Sequence, residues 1–509
     1  MSAYVIACDL GTGGNKAVLY NQDGAGITSF TQPYPTFHPE VQIHEQRPLD
    51  WWNAVVISVQ GLLEKSRIER SQVKAIGISG HSLGCVPIDE RGNLLLDKTP
   101  IWSDSRASTE AEEFFQQVPF NEWYLKTGNG FPPALYTVFK LMWLKKYQND
   151  VYRRTCKILG TKDYINFRLT GRIGTDHSYA SGTGVYDLTA RTYDSDLLRA
   201  GRVEPSFFPE IVPSDRIVGE LSSETAELLG LPPSVAVVSG GVDNSCMALG
   251  AGGIKEGDIY NSLGSSSWIA VTSSHPVLDL QIRPYVFAHV VSGMFTSATS
   301  IFSAGTSLDW IRDQLCQSLA TNQSDNVTLY QKMFALAGSS PPGAHNLLFV
   351  PTLAGGTHSE GGPGVRGALV GLDLSHTLAD IIRAGLEGIA FGLRVALDEL
   401  RRLTAVSDEM LILGGGAKSA LWRQIFADVY HCAVIKSKID QETAALGAAA
   451  LAAVGSGIWT DYSRVADLHQ IEDRCIPNAE NVYVYQRLLP LYKEAAQHQR
   501  ELGELQARS

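Results

Sequence analysis

Along the chain, short β-branched runs alternate with longer segments whose apolar residues recur every three or four positions. Strands are predicted at Tyr4–Cys8, Lys16–Tyr20, Ala75–Ser79, Val235–Ser239, Ile259–Leu263 and Trp268–Thr272. The clearest helix starts at Leu378, where Ile382, Leu386, Ile389, Leu393, Leu397 and Leu400 form one apolar stripe. The alternation is that of an α/β protein. A second pattern lies on top of it. "IACDLGTGGNKAVLY" near the start is echoed by "IYNSLGSSSWIAVTS" from Ile259, each a strand, a turn of small residues and a second strand. The echo predicts a duplicated fold of two domains, 1–251 and 252–509.

Length supports the division, because 509 residues exceed what one compact core accommodates. A net charge of −11, with no Lys/Arg cluster, argues against a nucleic-acid or membrane surface. The most apolar run, "AALGAAALAAVGSGIW" from Ala444, is too short and too glycine-broken to span a bilayer. The N-terminus enters a strand without a basic and apolar leader, so no signal peptide is expected. Seven scattered cysteines with no CxxC read as reduced thiols of a cytoplasmic protein.

The glycine-rich segment after Asp9 is neither a Walker A loop nor a dinucleotide fingerprint. Lys16 is followed by alanine rather than Ser/Thr, and "KAVLY" continues as strand rather than opening a helix. What remains is a β-hairpin, either a plain turn or one whose backbone N–H groups receive phosphate oxygens. Taken alone, the first copy favours the plain turn. A second copy at Gly264, Ser265 and Ser266 favours the phosphate cradle, since two facing hairpins suit a nucleotide in an interdomain cleft. Asp9 is then placed to hold a metal, and Lys16 to add positive charge.

"DLGTGGNKAVLY", "GGVDNSCMALGAG", "NSLGSSSW", "LILGGGAKSALWRQIFADV" and "ETAALGAAALAAV" occur in the order found in the FGGY carbohydrate kinases. "KLMWLKK" (140–146), "KDYINFRLTG" (162–171) and "TDHSYASGTGVYDL" (175–188) extend this resemblance over nearly the whole chain. It implies a duplicated actin-like/ribonuclease H-like ATPase fold, of the actin and sugar kinase superfamily, with two domains around a central cleft. It also implies an ATP- and Mg²⁺-dependent phosphotransferase acting on a small sugar. "IWSDSRA" and "YASGTGVYDL" are most similar to the members that phosphorylate D-xylulose; other pentuloses, gluconate, glycerol and a tetritol are the alternatives. A non-catalytic ATP switch of the actin type is a further rival, though it has no need of a carboxylate placed like Asp243. A homodimer is common in such families, but no interface is readable here.

Residue by residue, the resemblance makes Asp243 the catalytic base and, with Asp9, a metal residue. From the residues alone, Asp243 reads as readily as a helix cap. Nucleotide binding falls to Gly11, Thr12, Gly13 and Lys16 in the first hairpin and to Gly264, Ser265 and Ser266 in the second. Gly305, Gly414, Gly415, Gly416 and Ser419 complete that set, and Glu442 and Gly447 open a helix packed beside the nucleotide. Sugar binding falls to His81, Ser82, Trp102, Asp104, Asp243 and Asn244. Two departures weaken the choice of sugar. Ser79–Gly84 reads S-G-H-S-L-G where such relatives carry S-G-Q-M-H-G, so His81 is either a sugar ligand or a packed core residue. Asp104 and Arg106 likewise read as pocket residues or as a structural pair. The loop Thr352–Gly367 lacks the charged G-E-R-T-P of relatives, leaving its contribution open.

Overall fold

A computed structural model describes residues 2–319, 328–439 and 442–508. Its two large sheets repeat one topology. In the first, strands lie in the order Gly26–Pro33, Gly14–Asn21, Tyr4–Gly11, Val73–Gly80, Ala236–Val238 and Ile217–Glu220. In the second, the same places are taken by Phe295–Ile301, Ser267–Ser273, Ile259–Leu263, Glu409–Leu413, Ala433–Ser437 and Ile471–Cys475. The strand directions match as well. In both sheets the hairpin is antiparallel, the next two pairings are parallel, and the edge strand is antiparallel. The echo in sequence is therefore a repeated sheet, with Tyr285–Ala288 added to the edge of the second.

The first strand is longer than the periodicity predicts. The ladder of Tyr4–Gly11 on Gly14–Asn21 runs to the pair Gly11↔Gly14, so Asp9 sits within the strand, opposite Lys16. Small residues cannot signal by hydrophobicity that they still pair. The helix Leu378–Leu403 starts where its stripe predicts, with a capping box of Thr377 and Asp380, and its six stripe residues are all buried.

Helix Thr443–Gly455 belongs to the second half of the chain but packs on the first sheet. Its alanines and leucines share a buried cluster with Val5, Ala7 and Val18. There it crosses helix Asp243–Gly250, and the crossing is tight enough to exclude side chains. A Cβ on Gly447 would lie 1.9 Å from the Cys246 carbonyl oxygen, and one on Gly250 would lie 1.8 Å from that of Thr443. Gly447 thus makes a close helix contact. We expect Gly447→Val to cost about 3 kcal/mol, because backbone cannot step aside as a side chain can. A Tm indistinguishable from wild type in thermal unfolding would refute that packing argument.

Among the described residues no helix is long and apolar enough to cross a membrane. All seven cysteines are free, six of them buried.

Candidate active site

Two carboxylates, Asp9 and Asp243, lie near enough for the charge of one to act on the other. Asp9 lies on the strand Tyr4–Gly11, and the Ser79 hydroxyl donates to its Oδ1 at 2.7 Å. Asp243 is the first residue of helix Asp243–Gly250, directly after the short strand Gly241–Val242 that pairs with Ser79–Gly80. It does not cap that helix through its side chain, apart from accepting the Asn244 N–H at 2.8 Å. Burial, then the charge of Asp9, pushes the Asp243 carboxyl up to about 7. Burial also raises Asp9, against the opposing pull of Ser79 and Lys16. Lys16 does not neutralise the pair by itself, since its ammonium lies 3.3 Å from Glu442. Two half-buried, mutually repelling carboxylates offer hard oxygen donors, which is the donor set a small divalent cation takes.

The first hairpin's turn is tied to its surroundings. The Gly11 carbonyl accepts from the Tyr34 hydroxyl, and the Thr12 carbonyl accepts from Gln46 Nε2 at 2.7 Å. Thr12 and Gly13 stay exposed. Thr12 Oγ1 accepts from the Trp102 indole N–H at 2.9 Å, tying a residue expected at the sugar to the turn expected at the phosphates. Asn244 lies beside Tyr260 and Trp268 of the second hairpin, so the Asp243-Asn244 pair stands between the two hairpins.

The second hairpin forms one wall of a cavity of about 710 Å³. Gly264, Ser265, Gly305, Gly415, Gly416 and Ser419 all line it. Ser266 is exposed at the same turn, outside that lining. The amides of Ala304, Gly305 and Thr306 donate to the carbonyls of Gly264 and Ser265, docking helix Gly305–Leu315 against the turn. Gly414 supplies the bend that presents Gly415 and Gly416. Its φ is +92°, and a Cβ there would meet the Leu263 carbonyl oxygen at 2.5 Å. Ser419 also caps helix Ala420–Tyr430, accepting the Trp422 N–H at 3.3 Å.

The aromatic wall of this cavity was not singled out in the sequence. It is formed by Tyr330, Phe334 and Trp422, with ring centroids 6.3 and 6.1 Å apart in succession. Arg312 donates to the Tyr330 hydroxyl at 2.7 Å, and that hydroxyl is bonded to Asp309. The signal was available only for Trp422, which stands inside the quoted glycine-rich motif.

On the sugar side the structure separates contact candidates from buried supports. Trp102 is 39% exposed, whereas His81 and Asp104 are 1% and 0% exposed. His81 hydrogen-bonds Thr161 at 2.9 Å and meets the Trp51 ring edge-on. Burial and the nearby Lys140 lower it to about 3, so it stays neutral. Both oxygens of Asp104 are taken, by Arg106 at 2.8 and 2.7 Å and by the His44 N–H at 2.8 Å. In this structure His81 is packed against Trp51 and Thr161, and Asp104 is paired with Arg106. Ser82 is buried beside them. Lys140 of "KLMWLKK" donates to the carbonyls of Leu83, Ile101 and Leu135, pinning three loops of this side together. The loop Thr352–Gly367 contributes nothing to the cavity lining and packs instead near the C-terminal helix, Gly361 against Arg500.

Two repeated hairpins, a carboxylate pair on and beside the first, and a cavity at the second fit a nucleotide-dependent phosphotransferase. Residues 4–250 match the N-terminal domain of the FGGY family of carbohydrate kinases, and residues 259–456 match its C-terminal domain. The chain belongs to that family. It is 30% identical to the xylulose kinase of Bacillus subtilis (strain 168) over 501 residues, covering 98% of each chain. The solved xylulose kinase from Rhodospirillum rubrum superimposes with a TM-score of 0.91 at 27% identity, covering 98% of this chain and 100% of that one. The gluconate kinase from Lactobacillus acidophilus gives a TM-score of 0.90 at 26% identity, covering 98% and 99%.

Proposed function

We propose that this carbohydrate kinase transfers the γ-phosphate of ATP to the terminal hydroxyl of D-xylulose, yielding the 5-phosphate. The observation that carries the reading is the Asp243 carboxylate held between the two hairpins. Asp243 takes the proton of the attacking hydroxyl. Asp9, with Asp243 near it, would hold Mg²⁺, whose charge would offset that of the nucleotide phosphates. Gly11, Thr12, Gly13 and Lys16 approach the phosphates from one side, and Gly264, Ser265 and Ser266 from the other. Gly305, Gly414, Gly415, Gly416 and Ser419 shape the adenosine site, while Trp102 and Asn244 face the sugar. His81, Ser82 and Asp104 hold the sugar-side loops in place rather than reaching the substrate.

If Phe334 flanks the adenine, Phe334→Ala raises the KM for ATP about tenfold and leaves the sugar KM unchanged. An unchanged ATP KM in initial-rate kinetics would remove the aromatic wall from the nucleotide site.

The choice of sugar rests on the names of relatives, and the likeness to a gluconate kinase keeps gluconate as the second reading. A coupled ADP-release assay with D-xylulose, other pentuloses, gluconate, glycerol and a tetritol decides between them. We expect kcat/KM for D-xylulose to exceed that of every other substrate by at least about tenfold. A preference for gluconate would establish the second reading. Rates no higher than ATP hydrolysis with every substrate would reject the assignment.

A further inference from the structure

Two motifs, "KDYINFRLTG" and "TDHSYASGTGVYDL", supply none of the contacts assigned above, yet they converge on the segment that ends at Asp243. Lys162 is 0% exposed and lies 2.6 Å from Asp163 and 3.0 Å from Asp176. Asp176 accepts the Ser178 N–H at 2.9 Å, the Ser178 hydroxyl at 2.5 Å and the Ser214 hydroxyl at 2.8 Å. With its proton committed to Asp176, Ser178 Oγ turns a lone pair outward and accepts the Val242 N–H at 3.0 Å. Val242 is the residue before Asp243.

The rest of the segment is fastened by the same elements. Lys162 and Asn166 donate to the Ser239 carbonyl at 3.2 and 2.8 Å, and the Ser214 carbonyl accepts the Gly240 N–H at 2.9 Å. Asp176 stays ionised despite burial, because Lys162, Ser178 and Ser214 all favour its charged form. A buried charge cluster of this kind seldom stabilises a fold more than apolar residues of equal volume would. What it adds is direction, in that each donor and acceptor allows only one placement of its partner.

We propose that Ser178, oriented by Asp176 and Lys162, is a positioning residue that sets the Asp243 carboxylate in line with the sugar hydroxyl. The proposal rests on Asp243 being the base. An angular error in the Val242–Asp243 peptide moves the carboxylate relative to the acceptor and leaves both substrate sites intact. The effect therefore falls on kcat.

The test compares Ser178→Ala, Asp243→Asn and the double variant in steady-state kinetics with D-xylulose and ATP, or with whichever sugar the substrate panel selects. The expected result is a kcat lowered about 10- to 100-fold by Ser178→Ala, with both KM values within about twofold. The double variant should be no slower than Asp243→Asn alone, because Ser178 acts through Asp243. An unchanged kcat, a KM that moves as far as kcat, or the same loss repeated in the Asp243→Asn background overturns the proposal. If Ser178→Ala does not fold, Ser214→Ala removes one donor to Asp176 and should lower kcat about threefold with KM held; no change in kcat then overturns it. A silent Ser178→Ala beside an inactive Asp243→Asn rejects the positioning role alone. An active Asp243→Asn rejects the functional reading itself.

Discussion

Asp243→Asn lowers kcat by about 10³-fold and leaves the KM for the sugar within a factor of a few. The amide keeps the size and the N–H contact of the carboxylate but cannot accept the hydroxyl proton. Its loss is therefore a loss in the transition state rather than in binding. The same substitution has a second signature in metal-free protein. The Asp243 carboxyl is pushed up to about 7 in the fold, against 3.8 for an ordinary aspartate. A raised folded pKa means that ionisation works against the fold, so wild type loses stability as pH climbs from about 4 to about 7. The amide has no such loss. Thermal unfolding in the presence of a chelator should show Asp243→Asn gaining on wild type between about pH 4 and about pH 7. A variant with near-normal kcat, or a Tm difference that does not change with pH, would contradict the assignment of Asp243 as a base of raised pKa.

Asp9→Asn is expected to lower kcat about 10²-fold and to raise the Mg²⁺ concentration for half-maximal rate by at least about 10-fold. The second effect separates it from Asp243→Asn. Asp9 is hydrogen-bonded by Ser79 and stands opposite Lys16, so it sits on the first hairpin, the one proposed to receive the phosphates. Removing its charge also relieves Asp243 of a repelling neighbour, which lowers the Asp243 pKa in the metal-free variant. Magnesium titrations at fixed ATP check the first point. If the Mg²⁺ dependence were unchanged, Asp9 would not be the metal residue.

The duplicated sheet could be read before any coordinates because strand, small-residue turn and strand recur as a unit, and alternation marks them strongly. The extension of the first strand through Asp9 to Gly11 could not, since the final pairs are made by backbone of residues without hydrophobic signal. Six of the predicted nucleotide residues do meet around one cavity. Its aromatic wall is completed by Tyr330 and Phe334, from a helix outside every recognised motif. Nor could the sequence decide between two roles for His81 and Asp104. The residues that pack and pair with them, Thr161, Trp51, His44 and Arg106, carry no signal at those positions, and the histidine's partner Thr161 stands 80 residues away. The crossing of the helices at Gly447 shows the same limit. An alanine-rich helix announces close packing, but its partner at Cys246 belongs to the other half of the chain. The motifs left over, around Lys162 and Asp176, carry no contact of their own and become intelligible only through the segment they hold.

The most direct test is to identify the products formed from ATP and D-xylulose by wild type and by Asp243→Asn under identical conditions. Phosphorus and carbon NMR should find one phosphomonoester, on the terminal carbon, formed one-for-one with ADP by wild type and nearly absent with the variant. ADP without a sugar ester, an ester on another carbon, or the same ester made at near wild-type rate by Asp243→Asn would contradict the account.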